Sequence, residues 1–212
     1  MNMKRTLLST TLCLALTGAW AQATTDIKLN APDKSRGTSV MQALAQRHST
    51  RESDTRMLAD TDLADLLWAA NGVSRADGKH TAPSALNRQD IDIYVISAKG
   101  AYLYRADTHT LSLVAEGDHR KLVAAGQTFV EAFPVSLVLV SDLSRLGEDN
   151  ERTRLMAAVD AGCVSENISL FCAATGLATV PRATMSQEGL AKVLKLKPAQ
   201  LPLINHPVGY FK

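Results

Sequence analysis

The chain has 212 residues, 46% of them hydrophobic and 21% charged, and a formal net charge of +2. That is ample apolar material for one globular domain with a core, and it argues against a disordered chain or a solenoid. Near-neutrality without a basic block argues against a nucleic-acid or charged membrane-surface binder, which concentrates Lys and Arg on a face or tail.

Lys4 and Arg5 precede an apolar run from Leu7 to Leu16, after which Ala19-Trp20-Ala21 or Ala21-Gln22-Ala23 offers small residues for cleavage. This is the layout of a secretory signal, and the run is well short of the roughly 20 apolar residues that span a bilayer. Residues 1–23 are therefore expected to be a cleaved signal peptide and residues 24–212 the mature domain, secreted or periplasmic, with no membrane span after cleavage.

Beyond a polar leader, Val40, Met41 and Leu44 predict a short helix running into the segment Arg47-His48-Ser49-Thr50-Arg51. A second helix is capped by Asp60 or Thr61, keeps Leu63, Leu66, Leu67 and Ala70 on one face, and ends at Asn71-Gly72 in left-handed geometry. A long polar loop follows, rich in Gly, Pro and Asn, of the kind that carries sites. The stretches from Ile91 to Ser97, Ala101 to Ala106 and Thr110 to Ala115 predict an antiparallel meander. Asp118 caps a helix through Ala125, and the continuous apolar run from Pro134 to Leu143 suits a strand in the sheet interior. From about Glu151 to Thr175 the pattern is helical, with many small residues on two sides, as for a helix buried between neighbours and across a subunit contact. Gly176 ends it, and a short strand from Leu177, a helix from Gln187 to Leu194 capped by Ser186, and an extended run from Leu201 complete the order. The class is α+β, without an internal repeat.

Cys163 and Cys172 remain in the mature chain. Their spacing puts them on opposite sides of the long helix, so they do not bridge each other and are expected to be buried structural thiols. The histidines lack metal-ligand spacing, so no metal is expected. Signatures of serine hydrolases, nucleotide hydrolases and dinucleotide-binding folds are absent, and nothing selects a glycosidase-like carboxylate pair.

The arginine segment is the remaining pointer. A guanidinium is a permanently charged planar fork that matches phosphate oxygens. Arg47 and Arg51, four apart, repel each other on one helical face unless an anion lies between them. On the residues alone a solvated surface pair, with Glu52 or Asp54 as counter-charge, stays open beside the anion site. Equally, Pro83 and Ser84 serve as a helix start, Asn87 as a turn residue and Arg182 as a solvated charge.

Taken together, Arg47 to Ser53, Ala82 to Ile96 and Ala158 to Thr184, in that order, resemble three motifs of the FMN-dependent nitroreductase family, and His206 to Lys212 is similar to its closing strand. The resemblance covers nearly the whole mature chain. It implies a central, mostly antiparallel sheet flanked by helices, with the long helix at a homodimer interface and FMN at the subunit contact. It implies that Arg47, Ser49 and Arg51, with the backbone near His48, bind the FMN phosphate. It further implies that Pro83, Ser84, Ala85 and Asn87 contact ribityl or ring edges, and that a backbone N–H near Pro181, Arg182 or Ala183 serves flavin N5. No acid or base is nominated. The implied activity is ping-pong hydride transfer from a small-molecule donor, NAD(P)H or another, to a nitroaromatic, quinone or similar acceptor. The alternative is an exported, non-catalytic flavin-binding or interaction module on the same fold. The chain departs from the family pattern at Asp90, where Pro is common, at Glu166, where Gln commonly precedes Asn167, and in ending at Lys212 without a further basic residue.

Overall fold

Alternation of apolar side chains to both faces makes two strands the spine of the molecule. The computed structural model describes residues 26–212, so the expected signal segment lies outside the described residues. In β2 (Ile91–Ser97), Ile91, Ile93 and Val95 face one core while Tyr94 and Ile96 face the other. In β5 (Val135–Asp142), Val135, Leu137 and Leu139 divide from Val138 and Val140 in the same way. Strands buried on both faces read as continuous apolar runs, which is why the sequence around β5 lacks a polar period.

The seven strands are ordered β1-β4-β3-β2-β5-β7-β6 and pair antiparallel throughout. The outer members are β1 (Ile27–Lys28), β3 (Gly100–Arg105), β4 (Thr110–Glu116), β6 (Leu177–Thr179) and β7 (Gln200–Tyr210). The meander β2-β3-β4 is as expected, whereas β1 falls in what reads as a polar leader, because two residues carry no period.

On one face of the sheet lie α2 (Asp60–Asn71) and α5 (Glu151–Thr175), with α1 (Val40–Gln46) packed on α5. The other face carries α3 (Arg120–Ala124) and α6 (Gln187–Val193). A single turn, α4 (Leu143–Leu146), joins β5 to α5. By length and composition α5 is apolar enough to cross a membrane. Here Ala157, Ala161, Val164 and Ile168 are buried, and the helix packs on α1, α2 and strands of the sheet. Asn150 and Thr153 close a capping box at its start, and Gly176 ends it at φ 73°, where a Cβ would be strained.

Three local expectations change. The cap of α2 is Ala59, and Gly72 leaves the helix extended (φ −76°, ψ 161°) instead of left-handed. The α3 helix begins after His119, with Asp118 accepting from the Arg120 N–H at 3.0 Å. Cys172 is buried but Cys163 only half so, and both are free thiols. Burial in an apolar setting pushes the Cys172 thiol far up from its ordinary range.

Candidate functional site

The capping box Ser39/Gln42 starts α1, and the helix stops at Gln46, before the arginines. Arg47 has φ −56° and ψ 120°, so the helical face expected to align Arg47 and Arg51 does not form. Instead the segment leaves the helix and is pinned to the sheet edge: Thr50 N–H donates to Thr179 O at 2.9 Å, and Asp54 N–H to Tyr210 O at 3.0 Å. The Ser53 hydroxyl donates to the Asp54 and Tyr210 carbonyls, at 2.8 Å and 3.2 Å. Gly209 permits this approach, since a Cβ there would lie 2.1 Å from Ser53 Oγ and 2.9 Å from Pro134 Cδ.

With Thr50 Oγ1 turned into the protein, its neighbours Ser49 and Arg51 stay exposed, as does Arg47. Arg36, Arg120, Arg145 and Arg154 are all in ion pairs. Arg47 and Arg51, by contrast, have neither ion-pair nor side-chain hydrogen-bond partners among the described residues, and Asp54 pairs with Arg56 instead. His48 stacks on Phe211 with ring centroids 5.9 Å apart, and its Nδ1–H donates to Gln46 O at 2.7 Å. Beside this pair a cavity of about 290 Å³ is lined by Ser169, Cys172, Leu177 and Thr179.

Beneath the cavity wall His206 is completely buried. Thr179 donates its hydroxyl proton to Pro207 O at 2.9 Å and so accepts from His206 Nδ1–H at 3.2 Å; Nε2 then accepts from the Ser165 hydroxyl at 2.7 Å. Burial lowers the imidazole pKa to about 3, keeping the ring neutral.

The loop from Pro83 to Asn87 lies elsewhere along α5. Ala85 N–H donates to Asp160 Oδ2 at 2.8 Å, and Gln89 N–H to Ser84 Oγ at 2.8 Å. Asp160 and Cys172 are more than three turns apart, about 18 Å at 1.5 Å per residue. Leu86, Asn87 and Gln89 have φ of 52°, 54° and 50°. Non-glycine residues enter this region at a cost of about 1–2 kcal/mol each, so the loop is held in a strained form, as loops at sites often are. Its outermost side chain is apolar: Leu86 is 80% exposed. The Asn87 amide has no hydrogen-bond partner among the described residues.

At the third segment the side-chain expectation needs correction. Arg182 is buried, its guanidinium donating to Asn205 Oδ1 at 2.7 Å, to Val123 O and Ala124 O at 3.1 Å, and to Gln127 Oε1 at 3.1 Å. It is therefore no solvated charge but a cap on the carbonyls that end α3. Its N–H is also used, donating to Asn205 O at 2.9 Å. Pro181 has no N–H, so Ala183, exposed and without a backbone partner among the described residues, is the one free amide of the three.

Asp160 and Thr179 were missed in the sequence. A lone acid inside the apolar stretch Ala157 to Val164 was the available sign for Asp160.

Residues 44–210 match the family model described as the nitroreductase family. A protein of Methanocaldococcus jannaschii named as a nitroreductase is 28% identical over 176 residues, 78% of this chain and 88% of its own. A Ralstonia eutropha JMP134 crystal structure, also named as a nitroreductase, superposes with a TM-score of 0.82 at 35% identity, covering 88% of this chain and 90% of that one. A Parabacteroides distasonis structure, named as an NADH dehydrogenase/NAD(P)H nitroreductase, shares the fold at TM-score 0.59 and 18% identity, over 82% and 88% of the two chains. An antiparallel sheet around a long buried helix, a pinned arginine segment and a strained Pro-Ser-Ala loop thus stand in a chain that belongs to the nitroreductase family, an oxidoreductase.

Proposed function

We propose that the protein is an FMN-dependent nitroreductase-type oxidoreductase, working as a homodimer and exported to the periplasm or beyond. The observation that carries the cofactor assignment is the pair of unpartnered guanidiniums, Arg47 and Arg51, with the Ser49 hydroxyl between them on an anchored segment. Two fixed cations without internal counter-charge fit a phosphate dianion, through bidentate charge-assisted hydrogen bonds. In this reading the free Ala183 N–H donates to a ring edge, and the Asn87 side-chain amide donates to or accepts from a ribityl hydroxyl. Bound FMN supplies the hydride chemistry, and the chain binds, orients and screens it from water.

A second subunit is part of this reading. Val40, Met41 and Leu44 on α1 and Leu155 and Val159 on α5 are large apolar side chains in the open, as are Leu86 and Phe211. Exposed apolar surface of this kind marks an interface. A partner whose α5 lies antiparallel would bring its strained loop, with Leu86 foremost, toward the Arg47–Arg51 segment of the first.

The test is anaerobic. FMN-loaded protein is mixed with NADH or NADPH and the visible spectrum followed for bleaching, then a nitroaromatic or quinone is added and recovery of the oxidised spectrum timed. Bleaching and recovery are expected. A flavin that binds but never cycles would replace the enzyme by a flavin-binding module. Export is checked by the mass of the protein recovered from a periplasmic extract, expected to lack the first 21 or 23 residues.

A further inference from the structure

Asp90 is fully buried, yet its Oδ1 has no hydrogen-bond partner. Its Oδ2 accepts from the Ser141 hydroxyl at 2.5 Å, and its carbonyl from Asp142 N–H at 2.8 Å. The Asp160 carboxyl, itself 4% exposed, lies within hydrogen-bonding reach of Asp90, so two acids face each other out of water. Asp160 comes from the middle of α5 and uses Oδ2 to hold the Ala85 N–H.

Among the described residues no cation relieves the pair. The groups acting on Asp90 are Ser141, Asp160 and its own backbone. Arg145, after β5, is committed to Asp92 and to Gln89 O, Asp142 accepts from Ser144, and His80 faces Asn71. Two carboxylates at this range cannot both ionise, and an orphaned carboxyl oxygen beside a second carboxyl is where a proton belongs.

We propose that Asp90 and Asp160 share one proton, carried on Asp90 and donated to Asp160, and that this proton fixes the Pro83–Asn87 loop so that cofactor retention depends on it. Only the cofactor half rests on the flavin reading above. With the proton present, Asp160 is a single anion held from both sides, by Asp90 and by Ala85 N–H. Without it, mutual repulsion acts on the acceptor that anchors Ala85, and the strained run from Leu86 to Gln89 loses its tether. Asp160 is thus a positioning residue for the loop, and Asp90 stores the proton. Burial and the Asp160 charge raise the Asp90 pKa to about 6. The folded chain therefore holds a proton that the unfolded chain releases near pH 4, and the contribution of the pair to stability falls as pH rises from about 4 to about 6.

Three measurements test this. In the infrared, wild-type protein at about pH 5.5 should show a protonated-carboxyl band that is absent from Asp90→Asn; solvated aspartates have lost theirs by then. The thermal midpoint of flavin-free Asp90→Asn, which keeps a donor to Asp160 at every pH, should exceed that of wild type at pH 7.5 and lose the advantage at pH 4. FMN should bind wild type about fivefold or more weakly at pH 7.5 than at pH 5.5, a loss that Asp90→Asn does not show. Absence of the wild-type band, which needs no variant, or midpoints that run parallel from pH 4 to 8, would overturn the shared proton. A band and midpoints as expected with no FMN binding would support the pair and sink the flavin reading alone. FMN that binds with the same pH response in both proteins would overturn the link to retention.

Discussion

Arg47, Arg51 and Arg182 carry the same side chain into opposite surroundings. Arg182 lies inside, its guanidinium donating four hydrogen bonds, to the Asn205 and Gln127 side-chain amides and to two backbone carbonyls, and burial lowers its pKa. Arg182→Met leaves Val123 O and the Asn205 amide oxygen without that donor, while Ala124 O keeps Gln127 N–H, and should cost about 2–4 kcal/mol, read as a lower urea midpoint. A merely solvated Arg182 would leave the midpoint unmoved. His206 gives a pH signature of the opposite sign to Asp90. Its folded pKa, about 3, lies below the unfolded value, so its contribution is complete above about pH 6.5 and lost as pH falls below it. Wild type should therefore lose about 1 kcal/mol per pH unit relative to His206→Gln below pH 6, a difference from which the opposite contribution of Asp90, common to both proteins, cancels. Profiles of the two proteins that stay parallel down to pH 4 would refute it.

At the scale of elements, what the sequence revealed depends on where the energy resides. The bounds of α5 were legible because an N-terminal Asn-x-x-Thr and a C-terminal Thr-Gly are local signals. Strands β2 and β5 were legible because their apolar runs are β-branched, and β3 and β4 because aromatic or leucine-rich runs lie between turn residues. The end of α1 was not, since Arg47 is a good helix former and only the tertiary bond from Thr50 to Thr179 O draws the chain away. Arg182 read as solvated because its partners are 23 to 59 positions distant. The three candidate segments were proposed from the sequence, yet their separation along α5 needed coordinates. The docking of the arginine segment rests on Gly209. Gly209→Ala should destabilise by about 1–3 kcal/mol, by thermal melt, and detach the segment so that FMN affinity falls more than stability does. An unchanged affinity would mean that the segment does not hold the ligand.

For the whole molecule, the apolar face shared by α1 and α5 matters most. Gly162 lies half-buried on α5 three residues past the exposed Val159, with nothing within 4 Å of where its Cβ would be, so a second helix has room to approach. Val159→Glu puts a charge into that contact and should turn a dimer into a monomer in sedimentation, with flavin lost alongside. A monomeric wild type that still held flavin would break the link between assembly and site. The proposed cofactor assignment depends on a phosphate lodged between Arg47 and Arg51. The most direct measurement compares FMN with riboflavin, which lacks that phosphate, by titration of flavin fluorescence. Wild type should favour FMN by at least a hundredfold, about 3 kcal/mol, and Arg47→Ala/Arg51→Ala should bind the two alike. Equal affinity of the wild type for FMN and riboflavin would contradict the account.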